Sequence, residues 1–185
     1  MGRIKQFNRN DVLQKALPLF WEKGFANTGM QEIEKATGVN KSGLYSEFKD
    51  KNEIFLESLK YYIEMQSQGM CLLEKPLGWK NIKTLLNRVI AVHDPKNPQG
   101  CFMINSFREL SGLPKQAHDI IGKNREALKE QAILNLKAEG VSNPEVLADL
   151  ILTFFSGLAI EQNLSSNQKD LEKKVARFLK TIQEK

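Results

Sequence analysis

Residues that do covalent or metal chemistry are scarce in this 185-residue chain. Its two histidines, His93 and His118, each lack a second metal-ligating residue three or four positions on, the spacing a helix-borne metal site needs. The two cysteines, Cys71 and Cys101, are too few for a disulfide framework and suit free thiols in a reducing compartment. Glycine-rich phosphate loops are missing, as are a nucleophile and base at recognisable spacing, so neither an enzyme nor a bound cofactor or metal is expected. No signal-type apolar stretch follows Met1, and no apolar run nears the roughly 20 residues of a membrane helix. The expectation is a cytoplasmic protein with no membrane partner. Strand-type alternation, internal repeats and Gly/Ser linkers are also absent, which leaves an all-α chain whose parts are joined by continuous helix.

What is present is ordinary for a globular protein: 41% hydrophobic and 26% charged residues. The net charge is +5. Residues 1–51 carry nine Lys/Arg against six Asp/Glu, and residues 166–185 carry six against three. Basicity therefore lies at both ends, and charge alone does not select a nucleic-acid-binding part. At the far end a solvated helix face accounts for it.

The N-terminal third reads as three short helices. Asn8 and Asp11 open the first, with Val12, Leu13, Ala16, Leu17, Phe20 and Trp21 facing inward and Gly24 as its stop. Pro18 removes one hydrogen bond and should kink or loosen it. Thr28 and Gln31 are spaced as a capping box that opens the second. Gly38 ends that helix and Asn40 caps the next. The helix from Lys41 is polar: Leu44 and Phe48 anchor it, leaving Lys41, Ser42, Gly43, Tyr45 and Ser46 towards solvent. About three residues separate the two caps, as in a helix-turn-helix.

With Gly38-Val39, Lys41-Ser42-Gly43, Leu44-Tyr45, Phe48 and Lys51 in place, and Ala16, Leu19-Phe20, Gly24-Phe25 and Thr28 upstream, the first fifty positions resemble the TetR family of bacterial transcription regulators. Glu34 and Glu47 depart from the pattern, standing where the family usually has alanine and often histidine. The resemblance implies a helix-turn-helix domain over 1–51 and a helical effector-binding and dimerisation domain over 52–185. It further implies a homodimeric repressor of a palindromic double-stranded operator, released by a small-molecule effector. Lys41 and Ser42 are then base readers. Tyr45, Lys49 and Lys51 are phosphate contacts, with Thr28 a further one at a helix N-terminus. A helical enzyme or an adaptor without DNA binding is the reading from a different class.

The remainder is helical. A fourth helix, opened by Asp50 and Glu53, is expected to reach about Leu73, followed by helices over 79–92, 101–110, from Pro114 to Gly140, from Asn143 to about Gln162, and a last one. A pocket in the helical bundle is expected among Met65, Met70, Leu86, Ile90, Met103, Phe107 and Phe154, residues that would otherwise be plain core. The penultimate helix is apolar on nearly all sides, and the last carries Leu171, Val175, Phe178 and Ile182 in a narrow seam. Paired with Phe155 and Leu158, these residues are the expected dimer interface, with an intramolecular bundle as the alternative. Cys101, read as the start of a helix, is a candidate sensor of electrophiles or oxidants through a lowered thiol pKa, against the simpler reading of a buried small hydrophobe.

Overall fold

The computed structural model describes residues 7–67, 71–91, 100–164 and 167–184. Among them lie α1 (Arg9–Asn27), α2 (Met30–Thr37), α3 (Lys41–Glu47), α4 (Lys51–Ser67), α5 (Trp79–Ala91), α6 (Phe102–Ser106), α7 (Lys115–Ala138), α8 (Pro144–Gln162) and α9 (Gln168–Gln183). Two 3₁₀ turns, Cys71–Leu73 and Phe107–Gly112, complete the regular structure, and none of the described residues forms a strand.

Local signals account for most boundaries. The Asn8 side chain accepts from the Asp11 amide at 2.8 Å and starts α1. The helix runs through Pro18 and breaks only at Gly24, whose φ of 82° and ψ of 171° lie outside helical space. The loosening expected at Pro18 is thus not found, and the break falls at Gly24, the expected stop. Asp50 accepts from the Glu53 amide at 2.9 Å and opens α4.

Two boundaries differ from expectation because of side chains distant in sequence. α4 is described as Lys51–Ser67, and Cys71–Leu73 forms a 3₁₀ turn instead of extending it. The fully buried Asn135 of α7 holds that turn: its amide donates to the Leu72 carbonyl at 2.7 Å, while its oxygen accepts from the Gly78 amide and the Asn81 side chain at 2.8 and 2.9 Å. One satisfied polar residue thereby joins α7, the turn and the start of α5, a strong arrangement in a low-dielectric interior. The helix expected over 101–110 is divided into α6 and a 3₁₀ turn, which carries Glu109 back to the end of α1.

The core forms two clusters. One joins α1, α2, α3 and α4 through Ala16, Phe20, Ile33, Leu44, Phe48, Phe55 and Leu59, and takes Phe102, Met103, Ala117 and Ile121 from later helices. The other joins α5, α7, α8 and α9 through Ile82, Leu86, Leu136, Ile151, Leu158, Leu171 and Val175. The packing around α1 therefore continues past residue 51 into the C-terminal helices.

Candidate nucleic-acid interface and internal cavity

The turn between α2 and α3 is held by several hydrogen bonds. Gly38 adopts the left-handed conformation at φ 73°, and its amide donates to the Glu34 carbonyl at 2.9 Å. Asn40 caps α3 by accepting from the Gly43 amide at 2.8 Å. Thr37, which sequence reasoning passed over, donates to the Ile33 carbonyl at 2.7 Å and accepts from the Val39 amide at 3.2 Å. Lys15 of α1 reaches the Thr37 carbonyl at 3.2 Å. Leu44 and Phe48 are buried beneath, and Arg9 lies over the Phe48 ring while pairing with Glu53 at 2.9 Å.

The upper face of α3 is then free of core duty. Lys41, Ser42, Tyr45 and Ser46 are exposed, with the Lys41 ammonium 5.9 Å from the centre of the Tyr45 ring. Lys49, just beyond, is exposed as well.

Three of the expected DNA contacts are placed differently. Thr28 is fully buried, its hydroxyl donating to the Gly24 carbonyl at 2.7 Å, so it secures the break in α1 and cannot reach a phosphate. The box opening α2 is Gly29 with Glu32: the Glu32 carboxylate accepts from the Gly29 amide at 2.9 Å and pairs with Lys23. That amide, and Lys23 beside it, hold the Glu32 carboxyl below its usual range. Lys51 donates to the Phe25 carbonyl at 2.9 Å and lies over the Phe25 ring, tying α4 to the end of α1. Gly43 is half-buried, and a Cβ there would lie 2.9 Å from the Val39 side chain. It serves the packing of the turn, and its amide is already used by the cap.

A cavity of about 370 Å³ opens between α4, α5, α7 and α8, and Trp21 of α1 forms part of its wall. Of the residues expected to form a pocket, Met103 lines it. Leu86 and Ile90 are core, Met65 and Phe107 are exposed, and Phe154 stacks on Phe178 with ring centres 3.9 Å apart. Met70 lies outside the described residues. The lining that sequence reasoning missed, Tyr62, Gln66, Arg88, Asn124 and Leu128 among it, comes from helices brought together only by folding.

From the cavity wall a run of aromatic contacts leads back towards α1. Trp21 packs edge-on against Tyr62 at 5.1 Å, Tyr62 and Phe55 both meet Phe102, and Phe55 meets Phe25 at 5.0 Å. At Phe25 the run meets Glu109, whose carboxylate accepts from the Phe25 and Ala26 amides at 2.5 and 3.3 Å.

Cys101 also borders the cavity, half-buried, with Tyr62 Oη donating to its Sγ at 3.5 Å. Burial pushes its thiol pKa up, and the Tyr62 hydroxyl with the Ile104 and Met103 amides opposes this less strongly. The lowered pKa expected of a sensing thiol is not found, because α6 is only five residues long and desolvation outweighs its amides. Burial raises the Cys71 thiol too. Alkylation of Cys101 is accordingly expected to follow an apparent pKa above the ordinary thiol value of about 8.5, measured as rate against pH in the Cys71→Ser protein. A value below that would restore the sensor reading.

The expected dimer residues separate into two groups. Leu158, Leu171 and Val175 are buried within their own chain, since α9 packs on α5 and α8. Phe155 faces the cavity, Phe178 stacks on Phe154, and Ile182 is partly buried against the second core. Apolar exposure lies instead on the outer side of α8 and just past its end: Val146 at 63%, Leu150 at 53%, Ile160 at 43% and Leu164 at 78%. Thr153 and Gly157, both exposed, complete a row at spacings of four and three.

Residues 12–58 match the family model for bacterial regulatory proteins of the tetR family. Along most of its length the chain is 28% identical to the HTH-type transcriptional repressor ComR of Escherichia coli (strain K12), over 177 residues covering 86% of this chain and 81% of ComR. The segment 12–58 is thus a TetR-family N-terminal domain. A second similarity is to the uncharacterized HTH-type transcriptional regulator YezE of Bacillus subtilis (strain 168), 33% identical over 112 residues, or 59% of this chain and 58% of that one. In fold it resembles a cysteine mutant of the TetR family regulator CifR complexed with 26-bp double-strand operator DNA. The TM-score there is 0.85 at 22% identity, covering 97% of this chain and 98% of CifR. A TetR regulator from Agrobacterium tumefaciens gives 0.83 at 14% identity, covering 94% and 96%. Among the described residues, no helix is long and apolar enough to cross a membrane.

Proposed function

We propose that the chain is a DNA-binding transcriptional repressor that acts in the cytoplasm as a homodimer and leaves its operator when a small molecule enters the cavity. Residues 1–51 are the DNA-binding unit, and residues 52–185 the effector-binding and dimerisation unit. The observation that carries this reading is α3, which buries only Leu44 and turns Lys41, Ser42, Tyr45 and Ser46 outward on a rigidly capped turn. ComR, named as a repressor, supports the sign of regulation.

In this reading Lys41 and Ser42 meet base edges, and Tyr45, Ser46 and Lys49 meet phosphates. A two-fold dimer requires a two-fold operator with half-sites about 34–36 Å apart, or a multiple of it. The outer row of α8 supports the dimer. Its ends are apolar and its middle, Thr153 and Gly157, is small, so a second copy of α8 can approach closely. Effector and operator are then linked: whatever factor the effector takes from operator affinity, the operator takes from effector affinity.

Operator titrations at several salt concentrations test the reading. Lys41→Ala is expected to weaken binding by roughly 1–3 kcal/mol and to relax preference at one base position. Lys51→Ala, whose ammonium is committed to Phe25, is expected to lower thermal stability while leaving the salt slope nearly unchanged. If Lys41→Ala alters neither affinity nor salt slope, α3 is not the reading helix, and an adaptor without DNA binding becomes the better account.

A further inference from the structure

We infer that Lys41 and Tyr45 act as one unit that reads a guanine in each operator half-site. The Lys41 ammonium meets the major-groove edge of that base, and Tyr45 is the positioning residue whose ring aims it. This rests on the reading of α3 as the DNA-contacting helix and specifies the base that it selects.

Both side chains are exposed and stand one helical turn apart on α3, where residues four apart are neighbours. The Lys41 ammonium lies 5.9 Å from the centre of the Tyr45 ring, within the reach of a cation–π attraction. A lysine by itself is a point charge on a flexible four-carbon stem, which suits any phosphate and selects no base. Holding the ammonium against the ring removes part of that freedom before DNA arrives, so the charge is presented at one place above the first turn of α3. Tyr45 is 45% exposed, so its hydroxyl can still meet a phosphate while its ring face serves Lys41.

The chemistry of the outward groups narrows the base. Adenine is recognised in the major groove by a side-chain amide that donates and accepts at once. The amide at the head of α3, Asn40, has its oxygen committed to the Gly43 amide at 2.8 Å and cannot form that pair. Cytosine presents a donor, which is matched by a carboxylate, and none of Lys41, Ser42, Tyr45 and Ser46 carries one. An ammonium only donates, so it seeks acceptors. Guanine alone places two of them, N7 and O6, side by side on its major-groove edge, where adenine and thymine each offer one.

Binding measurements on the full-length protein, with a duplex selected from a randomised pool, test the inference. Each guanine of one half-site is replaced in turn by 7-deazaguanine, which lacks the N7 acceptor, or by inosine, which keeps N7 and O6 and lacks only the minor-groove amino group. At one guanine the 7-deaza base is expected to weaken wild-type binding by roughly five- to a hundredfold, the range for one specific base contact, while inosine there changes it by less than about twofold. In Lys41→Ala the same 7-deaza replacement should have no effect. Tyr45→Phe keeps the ring and should keep the discrimination, while binding every duplex more weakly through loss of the hydroxyl. Tyr45→Leu loses the ring and should lose most of the discrimination. Each readout is a ratio of affinities for two duplexes, so any change in the folded fraction cancels.

A selected half-site without guanine, or one in which no guanine is sensitive to the 7-deaza replacement, would overturn the inference. So would equal sensitivity in wild type and Lys41→Ala, discrimination fully retained by Tyr45→Leu, or discrimination lost in Tyr45→Phe. Each of these outcomes leaves the protein binding DNA and removes only the guanine-reading pair. If the protein retains no duplex from the pool, the DNA-binding reading itself falls, and this inference with it.

Discussion

Alanine at position 24 is expected to lower stability by about 3 kcal/mol and the midpoint of thermal unfolding by roughly 6–12 °C. At φ 82° and ψ 171° the backbone is in a region that only glycine occupies without strain. A Cβ built there lies 2.6–2.7 Å from the Glu109 carboxyl atoms. That carboxylate can swing away, but only by giving up the amides of Phe25 and Ala26, which lie past the last regular turn before α2 and would be left without this acceptor.

The strain and the lost contact can be separated. Glu109→Ala alone removes the hydrogen bonds without backbone strain, and in the double variant the clash is gone while the strain remains. Gly24→Ala should therefore be less harmful in the Glu109→Ala background than in the wild type, a coupling read from a double-mutant cycle of unfolding free energies. A midpoint within about 1 °C of wild type for Gly24→Ala would show that the break does not require glycine. The contact also bears on signalling. It joins the turn after α6 to the segment that positions α2, so Glu109→Ala should weaken the effect of a bound ligand on operator affinity more than it weakens ligand binding.

Leu150→Glu should convert the protein to a folded monomer. Leu150 is 53% exposed in the single chain, so glutamate there is solvated in the monomer. In the proposed interface the same charge would be buried against its own copy. Sedimentation should give half the wild-type mass, helical circular dichroism should be retained, and operator affinity should fall by about a hundredfold or more because the two half-sites are no longer engaged together. Leu158→Glu is the instructive contrast: Leu158 is 2% exposed inside its own chain, so a charge there unfolds the C-terminal helices whatever the oligomeric state. A Leu150→Glu protein that remains dimeric would place the interface away from α8.

Short-range chemistry determined by the sequence alone covers the N-terminal helices. Asn8, Gly24, Gly38 and Asn40 act within four residues of themselves, so the start of α1, its break, the end of α2 and the cap of α3 were readable from side-chain chemistry and spacing. The outward face of α3 followed from the same local periodicity. The family resemblance covered the same stretch that the family model matches, and all-helical character followed from apolar spacing along the rest.

Only the tertiary structure decided what depends on contacts between distant residues. Helical periodicity says that a residue is inside, but it cannot say whether the surface it meets belongs to the same chain, to another copy or to a void. Leu171 and Val175 thus proved to be core, Phe155 a cavity wall, and the exposed row of α8 the unpartnered face. Nor does spacing reveal that Lys51 meets Phe25, that Glu109 meets the end of α1, or that Asn135 turns the chain at Leu72. Those polar groups are 26, 84 and 63 residues from their partners, and their geometry exists only once the helices have packed. Cys101 makes the same point in chemical terms: its pKa is governed by how much water the fold leaves around the sulfur, a quantity set by packing and absent from the order of residues beside it.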